Sequence, residues 1–218
     1  MLNVEQARFN MIEQQVRPWD VLDPKVLELM EAIPREKFVP AGYEGLAYAD
    51  TEIPLGHGAA MLPPKVVGRL LQAVDIDPLD IALEVGTGSG YLTALLAKGS
   101  RQVFSVDIDA EISAHAGEHL AAQGIHNATL EVGDAARGWD KHRPYDVIIV
   151  TGSLPVLPES FQKSLNRGGR LVAVVGDAPV MEAILIRRTG DNEWSREQLF
   201  ETCLTPLTNA MQPQRFTF

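Results

Sequence analysis

Between residues 80 and 175 the chain alternates short β-branched apolar runs with helical stretches, and this alternation restricts its architecture more than any other feature. Candidate strands are Ile81–Val85, Gln102–Asp107, Ala128–Val132, 145–150 and 170–175; helical spacing occupies 92–97, 111–123 and 158–165. Apolar runs without polar alternation are buried on both faces, so the expected fold is α/β, with a mostly parallel sheet between helical layers. Residues 182–188 and 199–207, joined across Gly190-Asp191-Asn192, read as an antiparallel hairpin that finishes the sheet. Upstream, Val4, Ala7, Phe9, Met11, Ile12 and Val16 place an apolar face on a helix that stops near Pro18. A second helix starts at Asp23-Pro24, a capping residue followed by proline at the first helical position, and ends before Pro34. Proline and glycine then break residues 40–64 into loops and short extended pieces, the expected substrate-facing surface, before Pro64–Val74 returns to helix. Residues 1–75 thus read as an extension on a core of 76–218, the two forming one compact unit.

Composition removes several functions. A net charge of −10 opposes a large nucleic-acid footprint, which needs clustered Lys and Arg. The basic patches 141–143 and 187–188 are short enough to be ordinary solvated surface. The longest apolar stretches, 147–150 and 171–175, fall far short of the roughly 20 residues a membrane span needs. Met1-Leu2-Asn3-Val4 lacks the basic start and apolar core of a secretory signal, and a cytoplasmic address is expected. Cys203, the single cysteine, is expected as a buried strand residue.

The chemistry-bearing segment is Leu83-Glu84-Val85-Gly86-Thr87-Gly88-Ser89-Gly90-Tyr91. It leaves a strand, passes through alternating glycines and enters a helix, which lets a ligand approach backbone at a helix N-terminus. Asp107 ends the next strand, placed to accept both hydroxyls of a ribose. Gly133-Asp134-Ala135 follows the third strand, with Asp134 placed to meet an adenine amino group. A dinucleotide fingerprint fails by one position, since Tyr91 stands where its third glycine belongs, and no Walker lysine is present. Glu84 would repel a pyrophosphate but suits a cofactor carrying an ammonium and a sulfonium. S-adenosylmethionine fits best, with Glu84, Gly86, Thr87, Gly88, Ser89, Gly90, Asp107, Ile108, Asp134, Ala135 and Thr151 as the expected contact set and no metal.

Other constellations are weaker. His115 and His119 have metal-like spacing without a third ligand and read as a solvated helix face. His57, between two glycines, is a candidate hydrogen-bond donor to an acceptor carboxylate. Ser89 lacks nucleophile-elbow spacing and reads as a loop hydroxyl. Trp19, Trp139 and Trp194 read as packing residues.

Several separate blocks resemble the protein-L-isoaspartate (D-aspartate) O-methyltransferases: Pro34-Arg35-Glu36-Lys37-Phe38-Val39-Pro40, Ala47-Tyr48-Ala49-Asp50, Ile53-Pro54-Leu55-Gly56, the glycine loop, Gly133-Asp134 with Gly138-Trp139, and Pro144-Tyr145-Asp146 through Val150-Thr151. The resemblance implies a Rossmann-like fold, S-adenosylmethionine as cofactor, and methyl transfer to the carboxylate of L-isoaspartyl residues in damaged proteins or peptides. It also carries a departure. The family's Thr-Ile-Ser segment, whose serine belongs to the active site, aligns with Ala60-Met61-Leu62 followed by Pro63, so both hydroxyls are missing and Leu62 stands at the serine position. A sulfonium methyl is already activated and a carboxylate with pKa of about 4 is ionised at neutral pH, so no general base is required. Cofactor binding is therefore expected to survive, with weak activity on ordinary isoaspartyl peptides. The alternatives are another carboxylate acceptor, a different small-molecule acceptor, or cofactor binding without repair activity.

Overall fold

The computed structural model describes residues 4–213, leaving Met1-Leu2-Asn3, where the N-terminal sequence reading begins, outside the described residues. Helix α1 (Val4–Met11) runs into a π-helical turn at Ile12–Val16 and a 3-10 turn at Arg17–Trp19. The expected single helix is thus a composite; its wider turn accompanies burial of the adjacent Met11 and Ile12 and of Val16. Helix α2 (Pro24–Ala32) is capped by Asp23, whose side chain accepts from Lys25 N. Residues 40–64 contain a short antiparallel hairpin, β1 (Ile53–Gly56) and β2 (Ala59–Met61), before α3 (Pro64–Val74).

The main sheet begins with β3 (Ile81–Val85), α4 (Tyr91–Gly99), β4 (Gln102–Asp107), α5 (Ala110–Ala122) and β5 (Ala128–Val132). It continues through β6 (Tyr145–Leu154), α6 (Glu159–Lys163), β7 (Leu165–Asp177), β8 (Val180–Arg188) and β9 (Trp194–Glu201). Its seven strands lie in the order β5-β4-β3-β6-β7-β8-β9, parallel from β5 to β7 and antiparallel for the last two. Alternate residues of β6 enter different apolar clusters: Val147 and Ile149 join α3, α4 and the N-terminal helices, whereas Ile148 and Val150 join Phe161 of α6. Burying each such side chain contributes roughly 1.5–3 kcal/mol, so a strand apolar on both faces is stable only when both are covered.

The tail departs from the sequence reading. The last strand is Trp194–Glu201 rather than 199–207, and Cys203 lies beyond it, exposed. Residues 204–207 turn back instead to the end of β6, where Ser153 N donates to Thr205 O and Leu207 N donates to Ser153 O, both at 3.0 Å.

Candidate active site

The chain winds from β3 outward to β4 and β5, then returns to place β6 on the other side of β3. This reversal leaves a crevice at the carboxyl ends of β3 and β6, where open α/β sheets bind ligands. A cavity of about 560 Å³ opens there, within the size range of small-molecule sites. The glycine loop forms its floor. Gly86 has φ +95°, and a Cβ there would lie 2.2 Å from Thr151 Oγ1. That hydroxyl donates to Val85 O and Gly86 O at 2.9 and 2.8 Å, so Thr151 pins the loop to β6. Thr87 and Ser105 hydroxyls bond at 2.7 Å, Ser89 Oγ accepts from Tyr91 N at 3.3 Å, and Gly90 has φ +83°.

Glu84 is fully buried, with Oε2 accepting from Thr93 at 2.5 Å and Ser105 at 2.6 Å. Its Oε1 has no partner. Burial pushes its pKa up to about 8, against the two hydroxyl hydrogen bonds that favour the anion. Burial thus opposes the anion that the sequence reading assumes beside the loop, and a cation reaching Glu84 would favour it. Asp107, 9% exposed, accepts Gly88 N on Oδ2 and Asp109 N on Oδ1, both at 3.0 Å. Each oxygen retains acceptor capacity, and Asp107 lines the cavity together with Ile108, Asp134 and Ala135. Asp134 Oδ1 accepts from Ala136 N and Oδ2 from Asn209 Nδ2 at 2.9 Å. The cavity gathers Glu52, Glu84, Asp107, Asp109 and Asp134 against only Arg35 and His57, an electrostatic bias toward cations.

On the opposite wall stands the β1–β2 hairpin, carrying His57, Ala60 and, just beyond it, Leu62. His57 occupies the left-handed region at φ 53° and pairs with Asp109, the N-cap of α5, and with Glu111 at 3.5 Å. The Asp109 hydrogen bond raises the His57 pKa. Arg35, absent from the sequence-derived site, donates from Nε to Ala47 O at 2.8 Å and from Nη2 to Leu62 O at 2.6 Å. The C-terminal strap at 204–208 also lines the cavity and was missed. A lone arginine and a short tail segment carry no local ligand motif, unlike the glycine pattern and the strand-end carboxylates.

Among the remaining candidates, His115 is exposed but His119 is not the solvated residue expected. It is half-buried, its Nδ1 lies 3.0 Å from Ser89 O, and its ring packs edgewise on Phe38. In the basic patch, Lys141 and His142 are tied to Glu131 and Arg143 to Asp140. Trp139 and Trp194 donate from Nε1 to Glu131 and to Gln162 O, and Trp19 packs under Lys65. Among the described residues no group of His, Cys, Asp and Glu gathers to hold a metal.

A doubly covered, mostly parallel sheet with a glycine loop and strand-end carboxylates at its switch point defines the Rossmann-like methyltransferase class. The family model for protein-L-isoaspartate(D-aspartate) O-methyltransferase matches residues 6–212. Relatives include protein-L-isoaspartate O-methyltransferase 2 of Pelobacter propionicus, 35% identical over 95% of this chain and 93% of its own. The protein-L-isoaspartate O-methyltransferase of Magnetococcus marinus is 38% identical over 93% of this chain and 89% of its own. The chain belongs to the protein-L-isoaspartate(D-aspartate) O-methyltransferase family. A Plasmodium falciparum chain described as a member, solved with S-adenosyl-L-homocysteine, shares the fold at TM-score 0.80 and 20% identity, covering 95% of this chain and 99% of that one.

Proposed function

We propose that this protein transfers the methyl group of S-adenosylmethionine to the free carboxylate of L-isoaspartyl residues in damaged proteins, in the cytoplasm. The observation that carries the cofactor reading is the unpartnered Glu84 Oε1 in a cavity rich in carboxylates, which matches a ligand bearing an ammonium and a sulfonium. Glu84 takes the ammonium, the Gly86 to Gly90 backbone with Thr87 and Ser89 follows the aminoacyl chain, and Asp107 receives the ribose hydroxyls. Ile108 and Ala135 flank the base, Asp134 meets its amino group, and Thr151 holds the loop in shape. When bound, the cofactor supplies a methyl already activated for displacement by a carboxylate oxygen. The chain's task is then alignment and exclusion of water, performed by the β1–β2 hairpin and the C-terminal strap. No helix among the described residues is long and apolar enough to cross a membrane. The exposed Cys203 thiol fits a reducing compartment.

The test is transfer of radiolabelled methyl to an isoaspartyl peptide and to its aspartyl counterpart. Label confined to the isoaspartyl peptide and released as methanol at mildly alkaline pH supports the reading; label stable to alkali overturns it. Ala60→Thr with Leu62→Ser is expected to raise isoaspartyl turnover about tenfold or more, each new hydrogen bond to the carboxylate contributing about 1.5–3 kcal/mol if made in the transition state. Unchanged turnover would show that the missing hydroxyls are not limiting.

A further inference from the structure

Arg35 is a buried cation with no anion paired to it among the described residues. Its side chain is wholly inaccessible, yet it lines the cavity. Nε and Nη2 are used on carbonyls, whereas Nη1 has no acceptor. The carboxylate next to it in sequence, Glu36, is engaged by Arg8 and Tyr48 instead. Burial lowers the Arg35 pKa to about 10, which still leaves it charged at neutral pH. Its guanidinium stacks on Tyr91 at 4.9 Å, and the Tyr91 hydroxyl is a second buried donor without an acceptor. Burial holds that phenol's pKa at about 12, so the proton stays on.

An unsatisfied buried donor is costly, and an uncompensated buried charge more so. Two such donors on stacked side chains at one cavity match a ligand that accepts hydrogen bonds and carries negative charge. Arg35 is held to the carbonyls of Ala47 and Leu62, beside the β1–β2 hairpin, whereas Glu84 is held by the hydroxyls of Thr93 on α4 and Ser105 on β4. The orphaned donors and the orphaned acceptor therefore serve different parts of the cavity. Nη2 holds the carbonyl of Leu62, the residue at the family's serine position, which places Arg35 on the acceptor side.

We propose that the Arg35 guanidinium, together with the Tyr91 hydroxyl, receives the carboxylate of the methyl acceptor in place of the hydroxyls missing at positions 60 and 62. This rests on the acceptor reading above and adds the group that selects for charge. The experiment measures binding to protein loaded with S-adenosylhomocysteine. Its probes are an isoaspartyl peptide and the same peptide with that carboxylate replaced by a carboxamide. Wild type is expected to prefer the carboxylate about tenfold or more, as a charge-assisted pair should. Arg35→Gln is expected to erase the preference and Arg35→Lys to keep part of it, with S-adenosylhomocysteine affinity unchanged in both.

Weakened S-adenosylhomocysteine binding, with 5′-methylthioadenosine binding intact, would assign Arg35 to the cofactor's own carboxylate and overturn the proposal. A preference kept in Arg35→Gln overturns Arg35 alone; no preference in wild type overturns it together with the acceptor reading. Tyr91→Phe keeps the test open if the arginine variants do not fold. Removing an unsatisfied buried hydroxyl is expected to raise Tm by roughly 2–4 °C while weakening carboxylate preference. Unchanged preference in that variant overturns the paired-donor site.

Discussion

Glu84 is the residue whose chemistry the fold alters most. Its segment was legible because three glycines follow it in a strand-to-helix setting, but its burial was not. The hydroxyls that hold it come from Thr93 and Ser105, on α4 and β4, and only the closed sheet brings them together. Because its pKa in the fold is about 8, above the carboxylate's ordinary 4.5, its contribution to stability is fully present below pH 4.5 and lost as pH rises through 8. Glu84→Gln is therefore expected to raise the Tm of the cofactor-free protein at pH 8, with the gain vanishing toward pH 4.5. A gain independent of pH would remove ionisation as its cause. The same argument makes cofactor binding at pH 7 release a proton from Glu84, seen as a calorimetric enthalpy that varies with the buffer's ionisation enthalpy. Asp107→Ala tests the neighbouring role. Losing charge-assisted bonds to a ribose should cost about 1.5–3 kcal/mol, or roughly 10- to 150-fold in affinity, and unchanged affinity in a folded variant would place the ribose elsewhere.

Elements were readable in proportion to how much of their stability is local or periodic. The bounds of β3, β4, β5 and α3 agree with the sequence reading because short segments rich in apolar residues, and a proline at the helix start, mark them. The last strand was misplaced for a physical reason. Ser195, Arg196, Glu197 and Gln198 are exposed, as suits an edge that must not pair with another chain, so β9 lacks an apolar signature. Leu204 and Leu207 supplied the apolar spacing instead, and they belong to the strap. The β1–β2 hairpin was read as short extended pieces without their pairing, since its turn runs through three residues with positive φ, Gly56, His57 and Gly58. His57 faces Asp109 and Glu111, both acidic, and these hold its pKa above the usual histidine value. The latch between hairpin and α5 is then fully present below the unfolded histidine's pKa and is lost as pH rises through the folded one. Intrinsic-rate-corrected amide exchange at residues 55–61 is expected to accelerate between pH 6 and pH 8.5 in wild type but not in His57→Gln. Identical pH profiles would show that the hairpin is held by its packing alone.

At the scale of the whole molecule, the cavity is an assembly of chain segments far apart in sequence, which is why the sequence revealed its floor and the wall within residues 40–64 but not Arg35 or the C-terminal strap. The sheet's switch point fixes the glycine loop, Asp107 and Thr151; residues 57–62 close one side; and residues 204–208 close another. The strap is held at both ends. Ser153 Oγ donates to Leu204 O at 2.9 Å, Leu207 packs against Gly152 so closely that a Cβ there would lie 2.6 Å from it, and Asn209 reaches Asp134. The last of these bonds ties the strap to the carboxylate proposed to meet the adenine, so base and strap share one anchor. Asn209→Ala cuts that tie at an exposed position without opening the core. A hydrogen bond to a charged group is worth about 1.5–3 kcal/mol when retained in full and less at an exposed site, so S-adenosylhomocysteine dissociation is expected to accelerate by several-fold up to about tenfold. Tm should fall by a few degrees, because Asn209 lies in the left-handed region at φ 63°, which alanine adopts at a cost, while the apolar contacts of Leu204 and Leu207 remain. Stopped-flow dissociation rates equal in wild type and Asn209→Ala would show that the strap is a fixed wall, held by those leucines and by Ser153, rather than a clasp that must open for product to leave.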